Sequence, residues 1–236
     1  MADPIYSVEK ECPVCQKKFT VTRTRGRQTL VKQDSDFCSH FQELNPYYYT
    51  VWVCSHCGYA AADTYFENLS VSAQDKIAKF LADRTVHVNY SGTRTREQAI
   101  GAYKLAIFFA ELIAAPNSRL AELYLKLAWI YREGEDQEDE KATLALACEH
   151  YEQALLRERL PIGNLSEAAV SYLIGELSRR IGQTEKALLY LGKVVESPAA
   201  KLEPRVINLA REAWREARAA RDEEKANKAA PAKAEA

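Results

Sequence analysis

Six cysteines occur in the 236 residues, and four of them fall into two C-x-x-C pairs: Cys12 and Cys15 in CPVC, Cys54 and Cys57 in CSHCG. A C-x-x-C turn offers two thiolates from one knuckle, and two such turns complete the tetrahedral ligand set that a structural zinc ion takes. Gly58 follows the last cysteine, where a residue without Cβ lets the backbone turn tightly behind the ligand. The 38 residues between Cys15 and Cys54 exceed the need of a minimal zinc ribbon, so they must hold elements that bring the knuckles together. A shell closed by four thiolates leaves no position for a substrate, so the expected chemistry is that of holding a fold.

Other donors stand close by. DFCSHF supplies Cys38 and His40, Asp34 and Asp36 precede them, and His56 sits inside the second knuckle. These are spare ligands, able to replace a cysteine or to form a second site, although Cys38 also suits burial as a small apolar residue. Cys148, in LALACEHYEQAL, is accounted for by an apolar helical face. Between Cys15 and Asp34 stand Lys17, Lys18, Arg23, Arg25, Arg27 and Lys32, with no acidic residue among them. A β-ribbon can present such charges to phosphates, which makes Arg23, Arg25 and Arg27 candidate nucleic-acid contacts. The competing role for them is to keep a strand edge from pairing with other chains.

The elements that must position these residues change character along the chain. FTVTRTR and TLVKQ flank Gly26 and predict a hairpin, while YYYTVWV predicts a strand leading into the second knuckle. Residues 1–65 thus read as a zinc-ribbon-like module with its own core. Beyond it the spacing is helical. Ser72 is expected to cap a helix whose Ile77, Phe80 and Leu81 share a face. Thr95 with Gln98 and Asn164 with Glu167 predict further caps, and Pro116, Pro161 and Pro198 punctuate the segments. Helices are expected near 96–114, 118–133, 138–158, 165–181, 184–196 and 203–223, making 66–221 a helical domain. Residues 222–236, rich in Ala and Lys, have no aromatic or β-branched side chain to bury and are expected to be disordered.

With 47% hydrophobic residues the chain can build true cores, and its net charge of −1 supplies no global field toward nucleic acid or anionic lipid. The start, MADPIYSVEKEC, lacks the basic and apolar regions of a secretory signal; LAIFFAELIAA is broken by Glu111 and too short to span a bilayer. A cytoplasmic location is expected, where reduced thiols favour metal over disulfides. The sequence has no Walker loop, no dinucleotide fingerprint, no nucleophile elbow and no H-E-x-x-H, and it is read as a non-enzyme.

YLIGELSRRIGQTEKALLYLGKVVES resembles a tetratricopeptide repeat, with Ile174 and Gly175 in the first helix, Gly182 at the turn, and Ala187 and Leu191 in the second. An earlier copy has Leu127, Ala128 and Tyr131, then Ala147, Tyr151 and Ala154 across the acidic insertion GEDQEDE; Leu209 and Ala210 open a further helix. The expected fold class is mostly α with a small β module: a zinc-ribbon-like domain followed by an irregular tetratricopeptide-like superhelix. VCSHCGY also resembles the knuckle of rubredoxins, over that segment alone, which makes redox iron the alternative to zinc. Together, the two C-x-x-C pairs, Asp34 and Asp36 as D-x-D, Tyr49, and the run Gly58, Tyr59, Ala60 are similar to an uncharacterised bacterial family. That family joins such a module to tetratricopeptide-like helices; the resemblance implies architecture and supplies no activity. The expected function is an adaptor or scaffold with a protein or peptide partner in its helical groove and no membrane contact. Nucleic-acid binding and a rubredoxin-like redox role are the alternatives.

Overall fold

The computed structural model describes residues 3–26, 28–84, 86 and 88–229. The chain divides into two compact units, residues 1–143 and 144–236. The first unit opens with β1 (Ile5–Glu11) and β2 (Lys18–Thr24), antiparallel from Ile5 opposite Thr24 to Glu11 opposite Lys18. Next come β3 (Leu30–Gln33) and β4 (Ser39–Phe41), paired with a bulge between Leu30 and Lys32, and then β5 (Val51–Val53) with β6 (Ala60–Ala62). The hairpin expected around Gly26 does not form: β2 pairs backward with β1 and β3 forward with β4. The physical reason lies in the C-x-x-C segments. Each is itself a tight turn, so the strand after a knuckle finds its nearest partner in the strand before it.

The short helix α1 (Asp63–Phe66) follows, then α2 (Val71–Leu81), α3 (Arg96–Leu112) and α4 (Asn117–Glu133). Ser70, two residues earlier than expected, caps α2 by accepting the Ala73 N–H at 3.2 Å. The capping box of Thr95 and Gln98 at the start of α3 is present in both directions. Along α3, Ala99, Ala102, Ala106 and Ala110 lie at helical spacing and are all buried. The strand they pack on, β6, is three alanines, and small side chains on both surfaces let helix and strand backbones approach closely. Around this contact Phe66 is a hub, its ring centroid 4.8 Å from Tyr59, 5.4 Å from Phe19 and 5.8 Å from Trp52. Tyr59 in turn meets Phe109 of α3 edge-on at 5.5 Å. One continuous core thus runs from Cys12 and Cys54 to Leu127 and Ile130 of α4. The boundary expected at residue 65 is therefore not a boundary between cores.

Helix α5 (Gln137–Arg157) contains the division between the units. The second unit continues with α6 (Glu167–Arg180), α7 (Thr184–Glu196) and α8 (Pro204–Ala229). Ser166 caps α6, accepting the Ala169 N–H at 3.1 Å, in place of Asn164. Helices α6 and α7 pack where Gly175 faces Leu191: a Cβ built on Gly175 would stand 2.6 Å from the Leu191 Cγ. Fully buried Glu176 is held by Arg179 and Arg180 of its own helix at 2.8 Å each. Cys148 is buried, its sulfur 3.4 Å from the Ser178 hydroxyl, in the packing position its helical face indicates. Helix α8 continues to Ala229, so residues 222–229 are helical rather than disordered, and 230–236 lie outside the described residues. Alanine and long charged side chains are good helix formers without burial, and composition alone underrated them. Among the described residues no helix is long and apolar enough to cross a membrane.

Candidate metal centre

Each knuckle is the turn of a hairpin, Cys12 and Cys15 between β1 and β2, Cys54 and Cys57 between β5 and β6. The two turns repeat one backbone pattern. Cys12 N–H donates to the Lys17 carbonyl at 3.0 Å and Gln16 N–H to the Cys12 carbonyl at 2.8 Å; Cys54 N–H donates to the Tyr59 carbonyl and Gly58 N–H to the Cys54 carbonyl, both at 2.8 Å. In both, the residue after the second cysteine is left-handed, Gln16 at φ 58° and Gly58 at φ 77°. Here the glycine also makes room, since a Cβ on Gly58 would stand 2.8 Å from the Val86 side chain.

The two turns face each other, so that the four sulfurs lie within 4.8 Å of one another. Cys12 and Cys57 are 3.7 Å apart, as are Cys15 and Cys54. Four sulfurs at a Zn–S distance of about 2.3 Å from one ion define a tetrahedron with edges of about 3.8 Å, and these separations fit it. Their mutual contacts shift the thiols in opposite directions. Sharing hydrogens with Cys54, the Cys12 thiol is pushed up to about 12, and its contact with Cys12 raises Cys57 as well. Cys54, accepting from Cys12 and Cys57, falls to about 2. Four crowded sulfurs cannot all ionise together without a cation among them. The set could therefore hold a metal ion.

The spare donors separate. His56 turns away from the sulfurs and places Nε2 2.9 Å from the Lys18 carbonyl. Asp34, Cys38 and His40 gather instead on the β3–β4 ribbon. There the D-x-D pair meets a residue that sequence reasoning did not single out, Arg132 at the end of α4. It donates to Asp34 at 3.1 Å and to Asp36 at 2.6 Å, and its Nε reaches Glu140 at 2.7 Å. Asp36, with no exposed surface, also accepts the Trp129 indole N–H at 3.1 Å. Partial burial opposes the ionisation of Asp34, but bonds from His40 and Lys32 outweigh it and hold the carboxyl at about 2. The signal for Arg132 was a lone guanidinium closing the otherwise apolar stretch LAWIYR.

Sequence reasoning did not single out Arg94 either. Its guanidinium is buried and donates to the carbonyls of Tyr90, Tyr48 and Val51 at 2.8, 2.8 and 2.7 Å, tying the second knuckle's strand to the approach of α3. Of the three basic residues singled out in the sequence, Arg23 is exposed on β2 with its guanidinium 5.9 Å from the Trp52 ring centroid. Arg25 is exposed just beyond, 5.1 Å from Tyr6, and Arg27 lies outside the described residues.

Fold and site together define a protein with an N-terminal four-cysteine β module built into a helical region. The chain belongs to the family described as an uncharacterised protein conserved in bacteria, DUF2225, which matches residues 5–217. Nothing among curated proteins and nothing among solved structures matches it.

Proposed function

We propose that this chain is a non-enzymatic adaptor in which a zinc ion, held by Cys12, Cys15, Cys54 and Cys57, staples two hairpins onto a helical scaffold that receives a protein or peptide partner. The observation that carries the reading is the sulfur set itself. Four thiolates at tetrahedral edges close the coordination shell, which suits a structural ion and leaves no place for a reactant. Zinc is favoured over iron because the resemblance to rubredoxins is confined to VCSHCGY, the sequence of one knuckle. A tetratricopeptide-like pairing of α6 and α7 through Gly175 supports the scaffold half, since such pairs stack to leave a groove for an extended segment or helix.

Elemental analysis of the purified chain tests the metal: zinc in a tetrathiolate site is expected, and a red, bleachable iron chromophore overturns it in favour of the redox alternative. Crosslinking in cells tests the adaptor. Crosslinks from one partner protein concentrated on α6 to α8 are expected, while a chain that stays uncrosslinked removes the reading. Binding of RNA or DNA through the exposed Arg23 and Arg25 is the second function the surface favours. It would appear as an affinity falling steeply with salt and flattened by their replacement.

A further inference from the structure

The β3–β4 ribbon carries a second group of donors with a different chemistry. One atom each from Asp34, Cys38 and His40, a carboxylate oxygen, a sulfur and a ring nitrogen, lie within 4.8 Å of one another. The tip of the hairpin brings them together. Asp34 N–H donates to the Cys38 carbonyl at 2.8 Å, Phe37 N–H to the Asp34 carbonyl at 3.0 Å, and Phe37 takes a left-handed φ of 69° to close the turn. His40, two residues beyond Cys38, falls on the same face of the strand. Cys38 forms the floor at 3% exposure, and the His40 side chain, 33% exposed, stands at the mouth, which gives an ion a way in.

The surroundings hold the donors in place. The Asp36 carboxylate accepts the Cys38 N–H at 3.3 Å, the Tyr47 hydroxyl accepts the Ser39 N–H at 3.1 Å, and Arg132 bridges Asp34 and Asp36. The Asp34 Oδ2 and His40 Nε2 are 2.7 Å apart, close to the edge of about 2.8 to 3.3 Å that two ligands at about 2.0 Å from one ion would span. The charges leave room for a cation. Among the ion pairs of the described residues, Asp34, Asp36 and Glu140 bring three negative charges against the two positive ones of Lys32 and Arg132. A divalent ion with the Cys38 thiolate adds one net positive charge and neutralises the group.

We propose that Asp34, Cys38 and His40 form a second metal site for a borderline divalent transition ion such as zinc, with a coordination position open to water or to a partner's side chain. Sulfur and imidazole exclude magnesium and calcium, which take oxygen ligands, and three protein ligands leave the shell incomplete, unlike the four-cysteine set. The alternative is that the 2.7 Å contact of His40 with Asp34 is a hydrogen bond alone and the group holds no ion.

Metal content of the full chain separates the two. After zinc loading and removal of free ion, two zinc ions per chain are expected, falling to one in Cys38→Ser and in His40→Gln, which keeps a donor for Asp34. Cobalt in place of zinc should show a second equivalent whose sulfur-to-metal charge transfer is about a quarter of the first, one thiolate against four. A single equivalent that survives Cys38→Ser overturns the site, as do two equivalents that survive Cys38→Ser combined with His40→Gln. A single equivalent lost in Cys38→Ser would leave this site standing and remove the four-cysteine reading. Should the variants not fold, X-ray absorption of the doubly loaded natural chain decides: a mixed sulfur and nitrogen or oxygen shell is expected, and an all-sulfur shell overturns the proposal.

Discussion

Gly58 shows how much one residue can carry. It sits at φ 77° directly behind the last cysteine, with Val86 against the space a Cβ would fill. Gly58→Ala therefore meets both the left-handed penalty of about 1–2 kcal/mol and a steric contact. A lowered denaturation midpoint together with weaker metal retention is expected, whereas Gly26→Ala, in open space, pays the backbone penalty alone. Asp36 is the second test at this scale. Removing its carboxylate in Asp36→Ala leaves the Trp129 indole without its acceptor and strips Arg132 of one of three acids, a loss of about 2–3 kcal/mol measurable by denaturant titration. The cysteines and the D-x-D pair were legible because thiol spacing and paired acids advertise themselves in a linear string. Arg132 and Arg94 were not, because their partners lie 98 and 46 residues away at the farthest, and a lone arginine in a sequence does not name its acceptor.

Elements were read well where local chemistry decides and poorly where a turn chooses among partners. The α3 cap followed from Thr95 and Gln98 alone, since both halves of a capping box lie within four residues. The hairpin at Gly26 was misplaced because glycine marks a bend without saying which strands it joins, while the stronger turn was the cysteine knuckle. The α6–α7 seam offers a direct check. In Gly175→Leu the new side chain would begin 2.6 Å from the Leu191 Cγ and 3.1 Å from the Leu191 backbone nitrogen, which cannot yield as a side chain can. Overpacking there should cost about 1–3 kcal/mol and lower the melting temperature of the chain, while Gly192→Ala, whose Cβ would meet nothing nearer than 3.7 Å, should leave it nearly unchanged.

At the scale of the molecule, the first unit behaves as one body whose metal knuckles and helices share a core. The Phe66 ring that gathers Tyr59, Phe19 and Trp52 lies one residue past the boundary the sequence suggested, and the Thr50 hydroxyl is 2.6 Å from that of Tyr103 on α3. Composition changed at residue 65 and the packing did not, because alanines on β6 and α3 join the two across the change. Protons and chelators both compete for thiolates, so acidification or chelation should release the proposed zinc. If the core is shared, hydrogen exchange should then rise in α3 and α4 together with the hairpins, not in the hairpins alone. The same argument fixes what a fragment can do. Residues 1–65 contain all four cysteines and lack Phe66, Tyr103 and Phe109, so with zinc present they should bind the ion yet show no cooperative unfolding transition. Residues 1–143 supply the missing wall and should unfold cooperatively. A fragment 1–65 that melts sharply with bound metal would show that the knuckles own a core after all.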